Sequence, residues 1–145
     1  MFRHQVQFYD SDAFLIRAVL GFVTPAMQVG ESAIVIATRE HLDLLQSMPG
    51  ALSQYGHRDD KDRFVLLEAS ETLSTFMVDG LPNEQRFFDV VGGLVHQVSD
   101  RGNRHVSAFG EMVAVLYSQG NAEAAVRLER LWEKLAQRHR FSLLC

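Results

Sequence analysis

The sequence predicts a three-layer α/β domain, a mostly parallel sheet flanked by helices. Three observations carry that expectation. Apolar residues switch repeatedly between strand-like and helix-like spacing along the chain. One run, Ser32-Ala-Ile-Val-Ile-Ala-Thr38, is apolar without alternation, as in a central parallel strand covered on both faces. Three prolines and ten glycines punctuate 145 residues, with no repeat, low-complexity tract or long linker, so a single domain over 1–145 is expected.

The elements follow in order. His4 to Tyr9 reads as a first strand. A helix from Ser11 to Gln28 places Leu15, Ala18, Val19, Phe22 and Ala26 on one face. Pro25 has no N–H to offer Gly21, which predicts a kink or an early end there. After the Ser32–Thr38 strand, Thr38 caps a helix from Arg39 to Met48, closed by Pro49-Gly50. His57-Arg-Asp-Asp-Lys-Asp62 reads as a solvated loop. Phe64–Leu67 is the third strand, followed by a short helix opened by Ser70 and Glu71 and a turn at Asp79-Gly80. A long helix after Pro82 carries Phe87, Phe88, Val91, Leu94, Val95 and Val98. Gly92-Gly93 inside it costs roughly 1 kcal/mol per glycine relative to alanine, which suggests close approach of another backbone. His105–Phe109 is the fourth strand, with a short helix around Met112, Val113, Leu116 and Tyr117. Asn121 caps the last helix, whose stripe is Ala124, Leu128, Leu131, Trp132 and Leu135. Phe141–Cys145 is a fifth strand, expected at the sheet's edge or against a partner unless the natural protein continues beyond it.

Composition narrows the function classes. The formal charge of −4 comes with no basic stripe, which argues against a direct nucleic-acid ligand. No apolar run approaches the ~20 residues of a membrane span, and MFRHQVQFYDSD lacks the apolar core of a signal peptide. The single cysteine, Cys145, fits a reducing compartment and a packing role. A cytoplasmic location is expected.

Open parallel sheets bind ligands outside the carboxyl ends of their strands. The predicted exits carry Tyr9, Asp10 and Ser11; Thr38, Glu40 and His41; Glu68 and Ser70; Glu111 and Met112. With Phe8, Phe76, Met77 and Phe109 as apolar neighbours, these make a small-molecule rim. Plainer roles are available to each. Asp10, Ser11 and Thr38 serve as helix caps, and His41 as a solvent-facing helical residue. Glu111, a carboxylate directly after a buried strand and a glycine, is the most suggestive; hydrogen bonding to the N-terminus of the next helix explains it as well. Trp132 reads as core. His57, His96, His105 and His139 show no metal-ligand spacing, and an Asp10, His41, Glu111 metal site has no HExxH or CxxC pattern behind it.

The exclusions are sharper. GxxxxGK[ST], GxGxxG and GxSxG are all absent. Asp10 and Asp12 in the first strand-to-helix turn would repel a triphosphate. No cofactor is expected.

The stretches HQVQFYDSDAFL, GESAIVIATREH, RFVLLEASETLSTFMVDGLPNEQRF, FGEMVAVLYSQGNAEAAVRLERLW and FSLLC together resemble the MEDS (methanogen/methylotroph, DcmR sensory) domain family over nearly the whole chain. The resemblance implies a RecA/KaiC-type core whose phosphate loop is lost, with Tyr9-Asp10-Ser11-Asp12 standing where that loop stood. It implies a ligand-sensing module found beside histidine kinases and DNA-binding regulators, proposed to sense small hydrocarbon derivatives. Positions matching the family's pattern are His4, Phe8, Tyr9, Asp10, Asp12, Thr38, His41, Asp79, Gly80, Glu111 and Asn121. Relatives usually run on past FSLLC, and Pro25 and the charged HRDDKD stretch depart from the pattern.

The expected function is therefore a non-catalytic sensory domain. It binds a small organic ligand at the C-terminal strand ends and signals to a histidine kinase or transcription regulator, with a homodimer as an open arrangement. Two alternatives stand beside it. One is a ligand-free interaction module using the last helix or terminal strand. The other is a hydrolase using Asp10, His41 and Glu111, which requires His41 within hydrogen-bond reach of a carboxylate.

Overall fold

The computed structural model describes residues 3–5, 11–48 and 63–145. Phe8, Tyr9, Asp10 and the His57–Asp62 run lie outside the described residues. In chain order the elements are β1 (Arg3–Gln5), α1 (Asp12–Gln28), β2 (Ser32–Ala37), α2 (Arg39–Ser47), β3 (Phe64–Glu68) and α3 (Ala69–Phe76). A hairpin of β4 (Met77–Val78) and β5 (Leu81–Pro82) leads into α4, an α turn Glu84–Phe87, a π-helical stretch Phe88–Gly92 and a last α segment Gly93–Val98. Then come β6 (Val106–Gly110), α5 (Met112–Ser118), α6 (Ala122–Ala136) and β7 (Phe141–Leu144).

The sheet has the order β1-β7-β6-β2-β3, and every neighbouring pair is parallel. All six residues of β2 are buried, as its unbroken apolar run requires. Side chains alternate between two apolar layers. Ile34, Ile36, Val106, Ala108, Phe141 and Leu143 face a core shared with α3, α4, α5 and α6. Ala33, Val35, Ala37, Phe109 and Leu144 face a second core shared with α1 and α2. The domain is thus the three-layer α/β arrangement that the alternating periods predicted.

Three local expectations change. Pro25 does not end α1, which continues to Gln28; Pro25 and Gly21 are both exposed, so water reaches the carbonyl left without its amide partner. The terminal strand β7 is interior, paired with β1 on one side and β6 on the other. Gly92 is buried and approached by the side chain of Leu135 rather than by backbone: a Cβ there would lie 3.4 Å from Leu135 Cδ1, while one on Gly93 would meet open space.

Candidate functional site

The strand exits are built by short-range chemistry. Ser11 caps α1 by accepting from the Phe14 amide at 3.3 Å, which places Asp12 in the first turn. Thr38 caps α2 by accepting from the His41 amide at 3.4 Å, which sets His41 on the first turn of that helix. Beyond β6, the Glu111 amide donates to the Ile36 carbonyl at 2.9 Å. That bond continues the β6–β2 ladder by one residue and carries the Glu111 side chain to the start of α2.

Glu111 occupies the cap position of α5 but makes no side-chain cap bond to it. Its carboxylate, only 7% exposed, turns to the neighbouring element. The Thr38 amide donates to Oε2 at 2.8 Å, and Oε1 lies 2.5 Å from His41 Nδ1. The opposite ring nitrogen, His41 Nε2, lies 2.9 Å from Asp12 Oδ1. One imidazole therefore joins α1, α2 and the exit of β6.

A neutral imidazole has one N–H, so it can donate to only one of the two carboxylates. Only as an imidazolium does the ring donate to both at once. Burial by itself would lower the His41 pKa; the hydrogen bond to Asp12 and the charge and hydrogen bond of Glu111 outweigh it and hold the pKa above the ordinary histidine value. The buried Glu111 carboxylate has a partner on each oxygen, as a buried charge requires. Because the two acids sit at opposite ring nitrogens, they do not converge on one ion. Among the described residues no group of three His, Cys, Asp or Glu is placed to hold a metal.

Beside this group, α1 and α2 flank a cleft of about 510 Å³. Asp12 and Arg17 supply its charge; Ile16, Leu44 and Met48 are among its apolar walls. Leu44 and Met48 are exposed, at 39% and 37%. Asp12 belongs both to this cleft and to the His41 group.

The remaining predicted site residues sit elsewhere. Met112 is buried in the core under α5 rather than lining a rim, and Phe76 and Phe109 are likewise core. His4 is half-buried on β1, at one edge of the sheet. Asp79 and Gly80 form the β4–β5 turn, both at positive φ. Asn121 donates to the Gly80 carbonyl at 2.8 Å while capping α6, so this cluster clips a hairpin to a helix. It lies with the helices of the layer opposite α1 and α2, apart from His41. Glu68 caps α3 through the Glu71 amide at 2.7 Å. His105 is shifted below the ordinary value by burial first, with Arg140 adding to it, and pairs with Ser142 Oγ at 2.9 Å. The Cys145 thiol is pushed up to about 12, chiefly by burial, which suits a packing role. Arg17, Leu44 and Met48 are functional candidates that the exit-by-exit reading passed over. Their one signal was Leu44 and Met48, two apolar residues four apart toward the end of α2, beside the Leu42 and Leu45 that fill the core.

The family model for MEDS, the MEthanogen/methylotroph, DcmR Sensory domain, matches residues 3–145. The chain belongs to the MEDS family. MEDS domains are sensory domains, so the role of this one is sensory. No curated protein matches the sequence. Among the described residues of this MEDS domain, no helix is long and apolar enough to cross a membrane.

Proposed function

We propose that this MEDS domain is a non-catalytic sensor of a small organic ligand, held at the C-terminal end of the sheet between α1 and α2. One observation carries the reading: Asp12 is at once a wall of the α1–α2 cleft and a partner of His41. A guest with an apolar body against Ile16, Leu44 and Met48 would press on the carboxylate that ties α1 to α2 and, through His41, to β6. Occupancy would then bias the relative placement of three elements, in proportion to the ligand's differential affinity for their two arrangements. A histidine kinase or a transcription regulator is the output partner we infer. The parallel sheet, with an acidic first strand-to-helix turn and no GxxxxGK[ST], also supports reading the fold as a RecA/KaiC-like core without nucleotide binding.

A hydrolase reading has one observation in its favour, since His41 does lie within reach of two carboxylates. The same geometry argues against it. While the ring is protonated and paired to an acid at each nitrogen, it has no lone pair to take a proton from a nucleophile. Against the interaction-module reading stand the interior position of β7 and the burial of Ala124, Leu128, Leu131, Trp132 and Leu135, the apolar stripe of α6.

The test is a thermal-shift and NMR screen of the protein with short-chain and halogenated organics against nucleotides. An organic that raises the melting temperature and moves the amides of α1 and α2 is expected, with that response lost in Leu44→Asp. Binding of ATP, or an organic that binds without moving either helix, would overturn the reading.

A further inference from the structure

Among the described residues, the charged groups acting on His41 come from two elements. Asp12 comes from α1, with its side chain 63% exposed. Glu111 comes from the exit of β6, with its side chain 7% exposed, against 16% for His41 itself. Among the described residues, the hydrogen bonds of the ring go to Glu111 and Asp12, and none to Arg17 of α1 or to Arg39 and Glu40 of α2. The two contacts of the imidazole therefore differ in one decisive respect: Asp12 can return to water and Glu111 cannot.

That difference dictates what a lost proton does. A neutral ring keeps one N–H. Leaving the buried Oε1 of Glu111 without a donor costs the desolvation of a charged acceptor. Leaving Asp12 without one costs little, because water replaces the ring. The remaining proton stays on Nδ1, facing Glu111, and the bare Nε2 lone pair then meets the Asp12 carboxylate, which repels it. The Glu111 leg also keeps its second anchor, the Thr38 amide.

We propose that His41 is a proton-operated latch between α1 and α2: protonated, it holds Asp12 and closes the first turn of α1 onto α2; neutral, it keeps Glu111 and releases Asp12. The latch opens at one end only, so α1 is the moving element and the α2–β6 corner the fixed one. A raised His41 pKa places the transition above the ordinary histidine value of about 6.5. The inference builds on the ion pairs alone and holds whether or not the α1–α2 cleft takes an organic guest.

The experiment is an NMR titration of the full chain from about pH 5 to 9, the range in which histidine changes charge. It follows the His41 ring nitrogens, the α1 amides of Ala13 to Leu15 and the amide of Thr38. The expected result is a ring midpoint above 6.5, α1 amides that move with that same midpoint, and a Thr38 amide that stays nearly still. In Asp12→Asn, a change at an exposed position, the ring midpoint should fall and the α1 amides should stop following it. Flat α1 amides in the wild type, an unchanged midpoint in Asp12→Asn, or a Thr38 amide that moves while α1 does not would each overturn the latch. The screen for organics above reads a different quantity, so either idea can fail without the other.

Discussion

Glu111 shows how little of a side chain's role follows from its immediate neighbours in sequence. It stands where a cap for α5 is expected, and it leaves that helix uncapped to serve Thr38 and His41. His41 in turn makes stability depend on pH with a definite sign. Its folded-state pKa is raised, so its contribution is fully present below the unfolded value of about 6.5 and fades as pH rises through the folded value. Melting temperatures measured across that window should therefore fall with rising pH in the wild type. The slope should flatten in His41→Gln, and an equal slope in both would remove the ion pairs as its cause. Of this group, His41 and Glu111 were visible as candidates because each follows a buried strand. The geometry joining them was not visible, because 70 residues separate them and only the β6–β2 pairing brings them together.

At the scale of elements, local chemistry was a good guide. Ser11, Thr38 and Asn121 all cap the helices they precede, because a capping bond spans only three residues and needs no tertiary help. The Gly92-Gly93 pair was recognisable as an oddity, but its use was not. Gly92 lies in the π-helical stretch of α4, under Leu135 of α6, while Gly93 has open space around it. Both have ordinary helical φ and ψ. Gly93→Ala should then stabilise the protein by roughly 0.5–1 kcal/mol, the usual gain of alanine over glycine in a helix. Gly92→Ala should gain less or lose, since Leu135 must shift. Urea unfolding of the two variants separates them, and equal effects would mean that the Leu135 contact does not matter.

For the whole molecule, the informative feature is the position of β7. A chain-terminal apolar strand suggests an edge or a partner surface, yet β7 fills the slot between β1 and β6 and Leu143 is fully buried. Leu143→Ala should consequently cost about 2–5 kcal/mol, as core truncations do. A cost under about 1 kcal/mol, typical of surface changes, would argue that β7 is not interior. The same topology divides the predicted site. With α1 and α2 on one face and α3 to α6 on the other, His41 and Asp12 share a layer, whereas Asp79, Gly80 and Asn121 belong to the opposite one.

The sequence by itself determined the layer architecture, the helix starts and the exclusion of a phosphate loop, because periodicity, caps and missing motifs are local properties of the chain. Only the tertiary structure decided which acids meet which histidine, and that the terminal strand lies inside the sheet. Those outcomes depend on strand order, and strand order is set by how two buried faces are jointly filled, which no single segment encodes.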